Sequence, residues 1–259
     1  MTAPAPLTAA LAFKRAQVLA AVERVEPLPA LPGAFLLTTP SLPRVWELNL
    51  VLAPAGSGAE TAIDLADAAE AEAGLAHRKL RFDGAAAVEP LRAAAQVRGW
   101  ALDRELVMVH EPGATAPARR GRVEELDPDA LAAAEDQFLA AEPYGADPEL
   151  RRQLVAQHAR WARGVRAAVG LGIMEGGLAV AWCRCYDDGA LFELDDVGVL
   201  PGRRGAGLGR ELIMGVVAAA PPGRTPFLLA DANDWPRHLY DRLGFVAVGE
   251  RIGATRGAG

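Results

Sequence analysis

The run PGRRGAGLGR, residues 201–210, places Gly205, Gly207 and Gly209 at alternate positions among arginines, immediately before the apolar pattern RELIMGVVAAA. A bound phosphate needs several backbone N–H groups pointing into one concavity, no side chain in the way and a helix N-terminus behind it. This stretch meets those needs: VGVLP reads as a strand leading in, a helix leads out, and Arg203 and Arg204 add positive charge. It lacks the Gly-Lys-Ser/Thr ending of a Walker loop and the Gly-x-Gly-x-x-Gly spacing of a dinucleotide fold. On spacing alone, a phosphate cradle and a flexible connector both remain open.

Carboxylates stand on the strand feeding that turn. Strict alternation puts Glu193 and Asp195 on one face with Val197 and Val199, and Asp196 on the other. Tyr240 lies in the helical pattern PRHLYDRLG, and His238 is expected on that helix's surface. His77, His110 and His158 have no carboxylate or cysteine at ligand spacing, so no metal is expected. Cys183 and Cys185 share a strand face and are badly placed to bond each other. Trp161 and Trp235 can line a ligand cleft, although apolar packing is the simpler account.

The elements that must position these residues follow from turn and cap chemistry. VRAAVGLGIM, GLAVAWCRCY and ALFELDDVGVL read as strands joined by the hairpin turns EGG and DDG. Upstream, VEELDPDALAAAEDQFLAAEP reads as a short strand and an Asp-capped helix, and DPELRRQLVAQHARWARG as a second helix. Downstream come the helix after the glycines, the strand TPFLLADA, the helix PRHLYDRLG and the strand FVAVGERIGA. The first half echoes this order: VWELNLVLAP, ETAIDLADAAEAEAG, AHRKLRF and EPLRAAAQVRGWALDRELVMV parallel it in turn, which suggests duplication. Between the halves, the Pro- and Gly-containing EPGATAPARR marks a linker. The expected division is 1–112, a linker at 113–120, and 121–259.

About half of the 259 residues are hydrophobic, enough to bury substantial cores. Net charge −6 and a pI near 5.3 argue against nucleic acid as a partner and favour a cationic one. No signal peptide and no membrane-spanning run is evident, so a cytoplasmic protein, monomer or homodimer, is expected.

The two blocks VGVLP–Arg204-Gly205-Ala206-Gly207-Leu208-Gly209 and Asn233–LYDRLGF (239–245) resemble the signature of the GNAT superfamily of acyl-CoA-dependent N-acetyltransferases. The resemblance covers about residues 120–259. It implies an α+β fold with a central, mostly antiparallel, splayed sheet flanked by helices, here in two tandem copies, the first degenerate. It also implies acetyl-CoA as acyl donor and a small-molecule or peptide amine as acceptor. The pantetheine arm would lie along Val197, Gly198 and Val199, and the amides around Arg204, Gly205, Ala206, Gly207, Leu208, Gly209 and Arg210 would take the pyrophosphate. Arg203 and Arg210 would reach phosphates or stay solvated. Asn233 would bond the pantetheine arm or cap the next helix. Tyr240 falls on the position of the acid that protonates the departing thiolate, and Glu193 on that of a general base acting through water, with a water chain as the alternative. The first half has no glycine loop, and Ala95 falls opposite Tyr240, so it is expected to shape the acceptor cleft. A regulatory acyl-CoA-binding module without transfer activity is the alternative reading.

Overall fold

The computed structural model describes residues 5–111, 113 and 121–257. The expected linker, Gly113 apart, lies outside the described residues. The first half runs α1 (Ala5–Ala21), β1 (Arg24–Pro27), β2 (Phe35–Thr38), β3 (Leu50–Pro54), α2 (Ala59–Glu72), β4 (Arg78–Asp83), α3 (Val88–Val97) and β5 (Ala101–His110). The second runs β6 (Glu124–Glu125), α4 (Pro128–Ala140), α5 (Pro148–Ala156), α6 (His158–Trp161), β7 (Ala167–Glu175), β8 (Leu178–Asp187) and β9 (Leu191–Val199). It ends with α7 (Leu208–Ala219), β10 (Thr225–Asp231), α8 (Pro236–Arg242) and β11 (Phe245–Arg256).

Local chemistry explains most boundaries. Asp127 accepts from the N–H groups of Asp129 and Ala130 to start α4, and Asp147 accepts from Glu149 N–H to start α5. Gly176 and Gly177, at φ 58° and 81°, make the β7–β8 hairpin turn. Residues 46–48, expected as the start of a strand, instead form a 3₁₀ turn. Asn49 fixes that turn: its Nδ2 donates to Leu42 O and Val45 O, and its Oδ1 accepts from Thr39 N–H. Helix α1 was not foreseen; it buries Leu7, Leu11, Phe13 and Val18, together with Lys14 and Gln17.

The strands form one sheet in the order β1-β2-β3-β4-β11-β5-β10-β9-β8-β7-β6. Among the described residues only β3–β4 and β9–β10 pair in parallel, so the sheet is mostly antiparallel, with helices packed on it, as expected. The units β3-α2-β4-α3-β5 and β9-α7-β10-α8-β11 repeat one order, as the echo in the sequence predicted. Their last strands cross over. β11 pairs with β4 of the first half (Gly253 opposite Arg81), and β5 pairs with β10 of the second (Val107 opposite Leu229). The two exchanged strands run antiparallel to each other from Phe245–His110 to Thr255–Ala101 through the middle of the sheet. One core gathers β7–β9 with α4, α7 and α8, a second lies under α1 and α6, and a third joins α2 and α3 to β3 and β4.

Because the halves share their central strands, residues 121–259 expressed alone would leave β10 and β11 without their common partner β5. That fragment is expected to aggregate, whereas co-expressed 1–120 and 121–259 should reassemble. Size-exclusion chromatography with circular dichroism reads both outcomes.

Candidate functional site

The site begins with one extra residue in β9. The β8–β9 ladder pairs Arg184 with Asp195 but Trp182 with Gly198, so β9 carries an insertion opposite β8. Asp196, at φ 47°, is the one non-glycine residue with positive φ among the described residues. Residues paired across a ladder share a face, so Glu193 and Asp195 share theirs with Arg184 and Trp182. Val197 and Val199 turn to the opposite face, which corrects the simple alternation. Trp182 holds the kink from both sides: its Nε1 donates to Asp196 Oδ2 at 3.3 Å, and its ring lies over Gly198, where a Cβ would come within 2.2 Å of Cζ2.

Beyond the kink the sheet opens. The parallel ladder between β9 and β10 runs from Leu191–Thr225 to Leu194–Leu228 and stops there, although β9 continues to Val199 and β10 to Asp231. In the first half the corresponding pair β3–β4 stays bonded to its end at Pro54–Asp83. The gap therefore belongs to the second half alone.

A cleft of ≈ 660 Å³ occupies this opening. Val197 and Val199 form one wall. The glycine turn forms another, with Gly205 and Gly207 in the left-handed region at φ 83° and 81°. Gly207 caps α7, where Glu211 N–H donates to Gly207 O at 3.1 Å. The amides of Leu208, Gly209 and Arg210 thus precede the helical ladder and are free to meet an anion. Arg203, Arg204 and Arg210 rim the cleft. Arg203 is paired with Glu175 at 2.8 Å, and Arg204 lies 5.5 Å from the Phe138 ring centroid and 3.7 Å from Glu142. Gly198, Ala206 and Asn233 do not line the cleft. Gly198 backs onto Trp182, and Asn233 is exposed, its N–H donated to Asp231 Oδ1. Nor does Asn233 cap α8, which starts after Trp235 without a side-chain cap.

Tyr240 opens onto this cleft from α8. It is mostly buried, with its ring edge-to-face with Phe245. Burial, then Cys183, Asp234 and Asp195, push its hydroxyl above the ordinary tyrosine range, so it keeps its proton at neutral pH. Trp235 is exposed at the cleft mouth, whereas Trp161 is buried in the second core.

Glu193 lines neither this cleft nor the one beside it. It is 1% exposed beneath α1, where Lys14 Nζ donates to its Oε1 at 2.7 Å and to Gln17 Oε1 at 2.6 Å. Its Oε2 finds no hydrogen-bond partner among the described residues. Burial raises its pKa to about 7 against the pull of Lys14. The helix absent from the sequence reading is what removes Glu193 from reach of a substrate.

A second cavity of ≈ 160 Å³ adjoins the first, sharing Phe138 and Tyr144 with it. It gathers Glu135, His158 and Asp196, one ligand atom from each lying within 4.8 Å of the others. Spacing along the chain had left His158 without partners; the fold supplies them from α4 and the kink. The trio is poorly suited to a metal, because Arg184 donates through Nε and Nη2 to both oxygens of Glu135, at 2.5 and 2.7 Å. His158 Nδ1 lies 3.3 Å from the Tyr186 hydroxyl, and its Nε2 3.6 Å from Asp196 Oδ2.

Residues 169–252, which span the kink, the glycine turn and Tyr240, match the family model described as FR47-like protein. A GCN5-related N-acetyltransferase from Kribbella flavida shares the fold over nearly its whole length, at TM-score 0.63 and 18% identity, covering 98% of this chain and 96% of that one. A conserved protein of unknown function from Staphylococcus epidermidis is similar at TM-score 0.69 and 18% identity, covering 86% and 90%. No curated protein sequence matches the chain. The FR47-like match is confined to residues 169–252, and the fold of nearly the whole chain is shared with the Kribbella flavida protein. Among the described residues no helix is long and apolar enough to cross a membrane.

Removing one member of the buried pair strands the other charge. Lys14→Met is expected to destabilise the fold by about 3–5 kcal/mol, and the double change Lys14→Met with Glu193→Leu to recover most of that loss. Urea unfolding of the three proteins measures both.

Proposed function

We propose that the protein is an N-acetyltransferase that moves the acetyl group of acetyl-CoA directly to a primary amine, in a cytoplasmic setting. The observation that supports this most is the parting of β9 from β10 beside the glycine turn. A chain laid in that gap meets unpaired strand edges along Val197 and Val199. Its phosphates would reach the turn and the N-terminus of α7, where free amides and the helix dipole favour negative charge. Arg210 adds charge at the same end, while Arg203 would have to leave Glu175 to do so.

Acetyl-CoA would supply an activated thioester carbonyl; the chain's own residues position it and manage protons. Tyr240 holds a phenolic proton at the cleft and gives it to the sulfur as the C–S bond breaks. The first half, residues 1–112, has neither gap nor tyrosine and serves as the wall that completes the central sheet and buries α1 against β9.

Calorimetry with acetyl-CoA and turnover on a panel of primary amines, read as CoA release, test the reading. Gly207→Val, which forces a branched side chain into a left-handed position, is expected to weaken acetyl-CoA binding at least roughly tenfold. Tyr240→Phe should lower kcat by roughly 10²-fold and leave acetyl-CoA affinity unchanged. Tight binding with no turnover on any amine would instead identify a non-catalytic acyl-CoA-binding module. A folded protein that does not bind acetyl-CoA would overturn the proposal.

A further inference from the structure

The acyl-donor cleft accounts for the glycine turn and Tyr240 but leaves the second cavity unused. That cavity has two kinds of wall. Phe138, Leu139, Leu154 and Val155 are apolar, while Asp196 and His158 present a carboxylate and an imidazole. With ≈ 160 Å³, against roughly 30 Å³ for one water, it has room for a small organic group. Since Phe138 and Tyr144 line both cavities, a molecule seated here adjoins the first cleft.

The backbone at Asp196 is strained, and the strain has a visible product. A non-glycine residue at φ 47° sits in the left-handed region that L side chains rarely adopt. The kink aims the Asp196 carboxylate into this cavity, where 38% of the side chain is accessible although protein surrounds it. The facing groups come from several elements. Glu135 of α4 is neutralised by Arg184 of β8, His158 of α6 stands at 3.6 Å, Tyr186 of β8 backs His158, Asp195 adjoins on β9, and Tyr144 lines the wall shared with the first cleft. With Glu135 held by Arg184, Asp196 is the carboxylate left to meet a cation.

We propose that this cavity is the acceptor site, that it takes a small primary amine with an apolar body, and that Asp196, positioned by His158, removes the ammonium proton. The inference rests on the acyl-transfer reading above. The apolar walls take the body of the amine and Asp196 pairs with its ammonium. One proton passes from nitrogen to the Asp196 carboxylate, and the freed lone pair forms the C–N bond to the thioester carbon. The C–S bond breaks, the sulfur leaves with the Tyr240 proton, and the second nitrogen proton returns to the tyrosine oxygen. Asp196 then releases its proton to solvent. Burial, with Glu135 and Asp195, raises the Asp196 pKa to about 6, against the pull of His158. Burial holds the His158 imidazole below its ordinary pKa, against the pull of Asp196. Asp196 must be ionised to act, so kcat/KM falls as pH drops through about 6.

The test uses the full chain with phenethylamine as probe and phenylacetate, similar in shape and opposite in charge, as control. Calorimetry without donor should show phenethylamine binding and no phenylacetate binding. With acetyl-CoA, Asp196→Asn is expected to lower kcat/KM by roughly 10²–10⁴-fold and to abolish the acid limb, leaving acetyl-CoA affinity and cooperative thermal unfolding intact. His158→Gln should move the acid limb upward, because the imidazole's pull on the carboxylate is lost. An Asp196→Asn enzyme that keeps both its rate and its acid limb would overturn the proposal. So would equal binding of the two probes, no binding of phenethylamine, or stoichiometric zinc binding by Glu135, His158 and Asp196 that turnover requires. Amine binding is read without donor, so failure to bind acetyl-CoA would count against the acyl-transfer reading alone.

Discussion

The extra residue at Asp196 is where the second half departs from a closed sheet. A regular β9 would pair with β8 and β10 along its whole length, as β3 pairs with β4, and Val197 and Val199 would stay on the face of Glu193. One inserted residue bends the strand, reverses the facing of everything after it and ends the parallel ladder at Leu194. The Trp182 ring over Gly198 and its N–H to Asp196 keep the bend from relaxing. The large cleft and the second cavity lie on either side of this bend, joined at Phe138 and Tyr144.

The two halves share an order of elements and divide its uses. In the first, the β3–β4 ladder is complete, and the residues on β4 are spent on charge pairing. Lys79 and Arg81, both nearly buried, are held by Glu47 and Asp103, and Arg81 also by Glu105. The pairs with Asp103 and Glu105 reach from β4 past β11 to β5, and those with Glu47 tie β4 to the turn at 46–48. Burial of charge is tolerated there because each cation has carboxylates at 2.6–3.2 Å. The same rule governs Glu193, which Lys14 holds beneath α1.

Much of residues 121–257 was legible because its signals are local. Turns such as EGG and DDG mark hairpins, Asp127 and Asp147 cap helices, and alternate glycines before an apolar pattern mark a turn that leads into a helix. What was hidden depends on packing between distant segments. Strict alternation could not reveal a kink that Trp182 stabilises from a neighbouring strand. Nothing near His158 in the chain announces Asp196, 38 positions later. A charged residue such as Lys14 reads as an interruption of an apolar patch, and only the fold shows its amine turned inward to Glu193. The exchange of β5 and β11 was equally hidden, since both are apolar strands following similar helices and their patterns fit either neighbour.

The position of β11 bears on how the chain can assemble during synthesis. It follows every other strand among the described residues, yet it sits between β4 and β5. Until the ribosome has released it, β4 has one open edge and β5 has one missing neighbour, so the first half waits for the second before it can close. Folding therefore cannot finish half by half as the chain emerges. It ends in a late, long-range step, and the nascent protein carries exposed pairing edges that chaperones would have to shield.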